Sequence, residues 1–303
     1  MESQHHVLPL ALVAAGSLLV HGCDDGSSSA PKSYTIAFEA NFGASAFVCG
    51  QTYAGIGTGA TSAEREFQAT DFRFYVSNPT LQLANGTEVP LELDTNDFQA
   101  ENVALLDFEN GCGGGTVAES HEVVGVAPSD EYVGVCFDLG VPFELNHLSA
   151  DAIDTPAPLT ASGMMWNWQT GRKFARIDGK GHPTAASGGQ SFFVHLGSTG
   201  CTSGAPTESP IAPCSQPNVV HVCLDYDFDA PHFVVADAAA LLAGSDVSKN
   251  ANGAPGCMSG TGDDECAQIL PRFDLPFTYT GSTSPAPAVA TQAQGFFHVR
   301  HAE

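Results

Sequence analysis

Two histidines and a pair of tryptophans are the residues of this 303-residue chain whose types and spacing best suit chemistry. His147 follows a predicted strand, and His195 lies on another that leads into a cysteine-containing loop. Trp166 and Trp168, the only tryptophans, project from one face at strand spacing. Imidazole is a common metal ligand, which makes both histidines candidates. The alternative is that the histidines are satisfied or exposed and the tryptophans belong to a core or sheet face, and on these residues alone that alternative is favoured.

Other familiar chemistries lack their motifs. Residues 195–200 (HLGSTG) contain glycine and serine but do not form the G-x-S-x-G turn of a serine hydrolase. Helical H-E-x-x-H, phosphate-binding loops and the dinucleotide fingerprint are absent from the sequence. The acidic stretches 94–97 and 263–265 offer calcium ligands, but neither has EF-hand spacing, so solvated loops are the favoured interpretation.

The charge balance disfavours one class of partner. Asp and Glu number 34 against 10 Lys and Arg, for a net charge of -24. Such a surface repels phosphate backbones, so we expect no nucleic-acid partner. It suits cations or a basic protein, or it simply keeps an exported protein soluble.

The beginning of the chain predicts export. An apolar run over 7–20 is of signal-peptide length and too short to span a bilayer well. Gly22 then precedes Cys23, as at a bacterial lipoprotein processing site. We therefore expect a signal peptide over 1–22, lipidation of Cys23, and a flexible membrane-anchored tether over 23–33. The protein would lie in the periplasm, on the outer membrane or at the cell surface. The alternative is an ordinary secretory signal that leaves Cys23 as a free thiol.

The remaining cysteines are even in number, which in an exported chain predicts disulfides that brace the fold. They are Cys49, Cys112, Cys136, Cys201, Cys214, Cys223, Cys257 and Cys266. No C-x-x-C occurs, which argues against a zinc ribbon or a redox dithiol. Short intervening loops favour Cys201–Cys214 and Cys257–Cys266, although sequence alone does not decide the connectivity.

The other four cysteines lie farther apart. Cys49 and Cys112 both sit in glycine-rich loops and are candidates to join. Cys136 and Cys223 lie inside strand-like runs, on the face opposite the apolar residues. If those two strands pair, their thiols come together.

The hydrophobic pattern predicts a mainly β fold. Alternating runs bounded by turn residues favour an antiparallel β-sandwich or barrel-like domain with few short helices. Predicted strands cover 33–42, 71–76, 81–83, 89–93, 103–108, 121–126, 132–139, 164–168, 173–177, 191–196 and 219–228. Helices over 237–243 and 263–270 each begin at an aspartate that can cap. We expect one domain over 34–277 and a tail of uncertain structure over 278–303.

A series of motifs in order along the chain resembles the MbnP family, also called the metallo-mystery pair system four-Cys motif proteins. The resemblance runs from about Tyr34 to Phe277, nearly the whole chain after the leader. The motifs are 71–76 (DFRFYV), 104–109 (ALLDFE), 139–142 (LGVP), 146–147 (NH), 165–169 (MWNWQ), 195–201 (HLGSTGC) and 256–259 (GCMS) with Cys266.

The resemblance implies a periplasmic or surface copper-binding protein, encoded with a di-haem partner of the cytochrome c peroxidase type, MbnH. In the family that partner oxidises a tryptophan to kynurenine, which binds copper together with histidines. Carried over to this chain, Trp166 or Trp168 is modified and His147 and His195 are ligands. His121 and His232 are weaker ligand candidates. Opening an indole ring creates an aniline nitrogen and a carbonyl, whereas the intact indole nitrogen only donates.

On this reading the protein carries copper and is modified by its partner, and is not itself an enzyme. Three features depart from the family pattern. Arg172 stands where an aromatic residue is expected, Cys136 and Cys223 are additional to the four-Cys set, and the tail has no counterpart. We take the four-Cys set to be the two pairs with short intervening loops. The alternative function is a non-catalytic surface β-sandwich that binds a protein or a carbohydrate.

Overall fold

The computed structural model describes residues 30–112, 114–167, 169–251, 253–277 and 294–301. The predicted signal peptide, Cys23, Trp168 and most of the tail lie outside the described residues. No helix within the described ranges is long and apolar enough to cross a bilayer.

Strands dominate the described chain, as expected. In chain order they are β1 (Pro31–Phe42), β2 (Ser45–Ala46), β3 (Thr52–Ala54), β4 (Glu66–Leu83), β5 (Glu88–Pro90), β6 (Glu92–Leu93), β7 (Gln99–Ala100), β8 (Val103–Asp107), β9 (Glu122–Pro128), β10 (Tyr132–Leu139), β11 (Met165–Asn167), β12 (Gly171–Arg172), β13 (Ala175–Gly181), β14 (Gln190–Leu196), β15 (Val220–Asp225), β16 (His232–Asp237), β17 (Gly256–Cys257) and β18 (Phe297–His301). The α-helices are α1 (Phe143–Asn146), α2 (Ala238–Leu242) and α3 (Cys266–Ile269), and 3-10 helices cover Ala63–Arg65, Ala157–Thr160 and Leu270–Phe273.

Two large sheets make up the architecture. The smaller has the order β18-β16-β1-β9-β6, with β2 also paired to β1. The larger has the order β15-β10-β4-β13-β14-β17, with β3, β5 and β8 along the other edge of β4 and β7 beside β8. Pairing is antiparallel except between β1 and β16 and between β14 and β17. The separate hairpin of β11 and β12 carries Trp166.

The core lies between the two sheets. The predicted apolar face of β1 is buried, and its Phe38 packs edge-on against Phe74 of β4 and Phe137 of β10. Phe42 stacks on Tyr53 and Phe67 farther along the same interface. Sheet-on-sheet packing of alternating aromatic side chains is the sandwich form of the expected fold.

The long strand β4 joins two predicted strands into one. Runs 71–76 and 81–83 were predicted as separate strands, and Asn78-Pro79, a pair that usually breaks a strand, lies between them. Asn78 adopts φ 50° in the structure, and the pairing with β10 shifts register at this point. The backbone therefore bulges and continues, which lets one strand pair with β13 over its first half and with β10 over its second.

The helix predictions have different outcomes. Asp237 caps α2 as expected, because its side chain accepts hydrogen bonds from the amides of Ala239 and Ala240. The prediction that Asp263 opens a helix is wrong. Asp263 accepts a hydrogen bond from the Met258 amide instead, and α3 begins only at Cys266 without a side-chain cap.

The eight cysteines stand in the four expected pairs. The Cα–Cα distances are 6.2 Å for Cys49–Cys112 and 4.7 Å for Cys257–Cys266. They are 4.1 Å for Cys136–Cys223 and for Cys201–Cys214. Strands β10 and β15 do pair, and Cys136 lies directly opposite Cys223 in their register.

The ends of the folded region differ from the predicted boundaries. Strand β1 begins at Pro31, so residues assigned to the tether take part in the sheet. Strand β18, within the range given an uncertain structure, pairs with β16 and places Phe297 against Phe74 and Phe137. A C-terminal segment is ordered when its apolar side chains are buried in this way.

Candidate metal site

A row of ionisable side chains crosses the outer face of the larger sheet. His195 on β14 lies opposite Arg176 on β13, Arg176 lies opposite Arg73 on β4, and Arg73 lies opposite Asp107 on β8. Strand alternation sends this row away from the core that contains Phe74. All four side chains are nevertheless largely shielded from solvent.

The row is buried because a long connection covers it. Residues between α1 and β13 lie over the outer face and offer carbonyl groups to it. The Tyr75 hydroxyl donates to the Pro158 carbonyl at 2.8 Å, and Arg73 Nη1 donates to the Ser162 carbonyl at 2.9 Å. This sheet therefore has two buried faces, an apolar one and a polar one.

Carboxylates inserted between the arginines balance their charge. Arg73 Nε donates to Asp71 Oδ1 at 2.8 Å. Arg176 Nε lies 2.7 Å from Asp178 Oδ2 and 3.2 Å from Asp71 Oδ2. Buried charges persist only when paired and hydrogen-bonded, a condition that these contacts meet.

His195 ends this network, and Asp178 determines its protonation. Burial raises the pKa of Asp178, but the hydrogen bond from His195, together with the charge and hydrogen bond of Arg176, more than offsets this and holds the pKa low. The ionised carboxylate only accepts, so the His195 Nε2 atom, 2.7 Å from Asp178 Oδ1, carries the proton. Burial lowers the pKa of His195 despite Asp178, so the imidazole is neutral at neutral pH. Its Nδ1 atom then holds a lone pair.

The Nδ1 atom of His195 is buried and has no hydrogen-bond partner among the described residues. Leaving such an acceptor unpaired costs stability, about 1–3 kcal/mol for a typical buried polar group. A neutral imidazole whose other nitrogen is fixed by a carboxylate is the arrangement that metal-binding histidines use. His195 is accordingly prepared to bind a cation through Nδ1.

Trp166 lies beside this imidazole. The two ring centroids are 6.3 Å apart at an interplanar angle of 55°. Gly197, just after β14, leaves room for the indole, because a Cβ atom there would lie 2.5 Å from Trp166 Cζ3 and 2.8 Å from the Arg172 carbonyl oxygen. The structure thus brings Trp166 and His195 together, whereas Trp168 lies outside the described residues.

His147 approaches the same loop from another direction. It caps the C-terminal end of α1 and is 5% exposed, with its ring 5.1 Å from that of Phe143. Its Nε2 atom lies 3.8 Å from the Sγ atom of Cys214. The neighbouring Asn146 reaches within 3.5 Å of Ser198 Oγ, and Ser198 follows Gly197. His147 therefore lies near the segment that follows β14, next to Asn146 and Cys214.

Arg172, one of the three features that depart from the family pattern, connects the hairpin of Trp166 to the end of α1. Its side chain is fully buried, and Nη1 donates to the carbonyls of Leu145 and Asn146 at 2.9 and 2.7 Å. Nε and Nη2 donate to the Leu159 carbonyl at 3.0 and 2.9 Å. Because Arg172 also pairs with Met165 in the hairpin, it connects the Trp166 strand to the helix that precedes His147.

The weaker candidates lie elsewhere. His121 stacks on Phe108 at 4.7 Å and lines a cavity of about 580 Å³ with His298. His232 is on β16 in the smaller sheet and contacts His301 of β18. Neither placement supports a role beside Trp166.

Asp178 and Arg176 are site residues that sequence reasoning missed. A signal existed: β4 carries Asp71-x-Arg73 and β13 carries Arg176-x-Asp178, two complementary pairs within otherwise apolar runs. Opposite charges on one face of neighbouring strands stabilise each other. Met164, by contrast, is 1% exposed and belongs to the core.

Two comparisons with known proteins lead to the same family. A model of the MbnP family matches residues 31–259. The solved structure of MbnP from Methylosinus trichosporium is similar, with 30% sequence identity and a TM-score of 0.74, over 90% of this chain and 100% of that one. A search of curated proteins finds no match.

Proposed function

Because this chain belongs to the MbnP family, we propose that it is a copper-binding protein of the periplasm or cell surface. Its site would combine His147 and His195 with a tryptophan that a di-haem peroxidase-like partner of the MbnH type has oxidised to kynurenine. The protein would then be the target of modification and a carrier of copper, and would not catalyse a reaction itself.

One observation carries the proposal: the unpaired Nδ1 atom of His195 next to Trp166. Copper in either common oxidation state accepts imidazole, and the monovalent ion also accepts soft ligands. The imidazole is neutral, so no proton has to be displaced from Nδ1 before a metal binds. The donor chemistry of His195 therefore fits copper.

The surroundings of Trp166 make it the candidate for modification that we test. An intact indole offers only an N–H donor, whereas kynurenine offers an aniline nitrogen and a carbonyl oxygen. A new donor at position 166 would arise beside His195. Oxidation of an indole requires a redox cofactor, which the haems of the partner would supply.

The disulfide next to His147 braces the site and does not ligate. Cys201 and Cys214 form with His147 a compact group of metal-binding residue types. A disulfide sulfur is a poor ligand, because thiolate is the form that binds metals. We assign this pair to holding the loop after β14 in place, with the metal bound by nitrogen and oxygen donors.

Peptide mapping by mass spectrometry tests the modification. The full-length protein is produced with and without the di-haem partner, together with Trp166→Phe and Trp168→Phe variants. We expect kynurenine at position 166 only when the partner is present, and its loss in Trp166→Phe but not in Trp168→Phe. Unmodified tryptophan at both positions in the co-produced protein would contradict the proposal.

Copper titration tests the ligands. His195→Ala and His147→Ala should each weaken copper binding by about 10-fold or more, because each removes an imidazole donor. His298→Ala, an exposed position on β18, is the matched control and should bind as the wild type does. Equal affinity in all four proteins would remove both histidines from the site.

The alternative is a surface β-sandwich that binds a protein or a carbohydrate and uses these aromatics only for packing. This alternative predicts that protein purified from cells that also make the partner contains no copper. It also requires that His195→Ala changes stability alone. The same titration and mapping experiments therefore separate the two functions.

A further inference from the structure

A second cluster of metal-binding side chains lies at the opposite edge of the larger sheet. Glu88, Cys136, His221 and Cys223 each place one donor atom within 4.8 Å of the others. They come from β5, β10 and β15, which lie around the end of β4. The disulfide in this cluster, Cys136–Cys223, lies outside the four-Cys set.

Register places these side chains on one face. Cys136 is opposite Cys223, and Asp138 is opposite His221. Residues two apart on a strand share a face. Cys136, Asp138, His221 and Cys223 therefore all project from the outer side of the sheet. His221 and Cys223 are exposed, which leaves the cluster accessible to ions from solvent.

The imidazole of His221 is oriented by a carboxylate. Its Nδ1 atom lies 2.9 Å from Asp138 Oδ1, an arrangement in which Nδ1–H donates and Nε2 keeps its lone pair. Nε2 lies 3.4 Å from Cys223 Sγ and 3.8 Å from Glu88 Oε1. Around a tetrahedral zinc ion, ligand atoms at usual bond lengths stand about 3.3–3.8 Å apart. These separations match that spacing.

Outer hydrogen bonds support the remaining donors. Thr80 Oγ1 donates to Glu88 Oε2 at 2.8 Å, which leaves Oε1 directed to the cluster. Gln82 Nε2 lies 3.7 Å from Cys136 Sγ, where an N–H group stabilises a thiolate. Metal sites characteristically have such a supporting layer, and its loss weakens metal binding.

We propose that reduction of Cys136–Cys223 opens a second metal site, which binds Zn²⁺ through two thiolates, His221 Nε2 and a Glu88 carboxylate oxygen. A dithiol reductant supplies two electrons and two protons, becomes a disulfide itself, and leaves two thiols on the protein. Zinc binding then releases both thiol protons. The oxidised protein lacks thiolate ligands here, so the redox state of this pair controls the site.

Two other disulfides also have metal-binding neighbours among the described residues, but each lacks a component of this site. Cys201–Cys214 has His147 without a carboxylate, and Cys49–Cys112 has Glu109 without an imidazole. Two thiolates, an imidazole and a carboxylate complete a tetrahedral set that suits Zn²⁺. The site shares no ligand with the proposed copper site. A test of one proposal therefore does not decide the other.

Cobalt, a spectroscopic substitute for zinc, provides the test. The full-length protein is treated with a phosphine under anaerobic conditions, freed of reductant and titrated with Co²⁺ and then Zn²⁺. Alkylation and peptide mapping record which cysteine pairs are open. We expect one equivalent of Co²⁺ with thiolate–cobalt absorption and tetrahedral bands, displaced by Zn²⁺, and no such absorption in the oxidised protein.

Variants locate the signal. Cys136→Ser/Cys223→Ser should abolish it, whereas the matched control Cys49→Ser/Cys112→Ser should retain it. His221→Ala keeps the disulfide and should weaken Zn²⁺ binding, as should Asp138→Asn, by about 10- to 100-fold. If the double serine variant does not fold, His221→Ala decides. Any one of three results would overturn the proposal. The reduced wild type could show no thiolate–cobalt absorption, the absorption could survive the loss of Cys136 and Cys223, or His221→Ala could bind Zn²⁺ with unchanged affinity.

Discussion

At the scale of single residues, His195 shows how one contact prepares another. Asp178 accepts a hydrogen bond from the protonated Nε2 atom of the ring. The Nδ1 atom is left buried with an unused lone pair. Arg176 holds Asp178 from its other side. A ligand fixed in this way needs little reorganisation when a cation arrives.

Replacement of Asp178 by asparagine tests this arrangement. An amide in that position can donate to Nε2, which moves the imidazole proton to Nδ1 and blocks the proposed ligand atom. We expect Asp178→Asn to weaken copper binding by about 10- to 100-fold, measured by competition titration with circular dichroism as a check of folding.

Arg176→Gln is the control for this change. It removes the other partner of Asp178 but leaves the carboxylate on His195, so its effect on copper affinity should be smaller than that of Asp178→Asn. Wild-type affinity in a folded Asp178→Asn protein would mean that Asp178 does not position the ligand.

At the scale of elements, a short hairpin and a loop form the site together. Strands β11 and β12 present Trp166, and the loop after β14 passes beneath it at Gly197. Arg172 then fastens the hairpin to α1 through backbone carbonyls. None of these elements contains enough apolar surface to be stable alone, so each depends on the sheet beneath it.

Gly197→Ala should separate the hairpin from the loop. The new methyl group would lie 2.5 Å from Trp166 Cζ3 and 2.8 Å from a backbone oxygen, so one of the two segments must move. We expect a loss of stability of about 1–3 kcal/mol and lower yields of kynurenine at position 166, measured by chemical denaturation and peptide mapping.

Gly262→Ala is its matched control, because a Cβ atom at Gly262 meets nothing within 4 Å. That variant should resemble the wild type in both measurements. Normal modification in Gly197→Ala would show that the close approach of the indole is not required.

At the scale of the whole molecule, the sandwich buries charge as well as apolar surface. Burial raises the pKa of Asp107 to about 7 although Arg73 opposes it, and burial together with Glu265 raises the pKa of Asp263 to about 7. The folded state thus keeps protons that the unfolded state has already lost above about pH 4. These two carboxyl groups therefore contribute stability that is lost as pH rises from about 4 to about 7 and is absent above that range.

Asp107→Asn should flatten part of this decline. The free energy of unfolding of the wild type, from urea denaturation at several pH values, should decrease by up to a few kcal/mol across the range. The asparagine variant should lose less over the same interval, and the exposed Asp225→Asn should behave as the wild type. Identical slopes in all three proteins would mean that Asp107 is ionised throughout.

The amino-acid sequence by itself predicted the mainly β fold, the apolar face of β1, the cap of α2 and the two cysteine pairs with short intervening loops. These features rest on local periodicity and short separations, which a chain carries wherever it folds. Strand β18 and the continuity of β4 could not be predicted in this way, because pairing with distant strands stabilises both. The ordered motifs also identified the family and named His147, His195 and the pair Trp166 and Trp168.

Only the tertiary structure decided which of these residues meet. His195 and Trp166 come into contact because Gly197 lets the hairpin lie against the loop after β14. Asp178 belongs to none of the sequence motifs. It reaches His195 only because β13 pairs with β14. The protonation of His195 depends on burial and on a carboxylate from another strand. These are properties of long-range packing, which no spacing along the chain records.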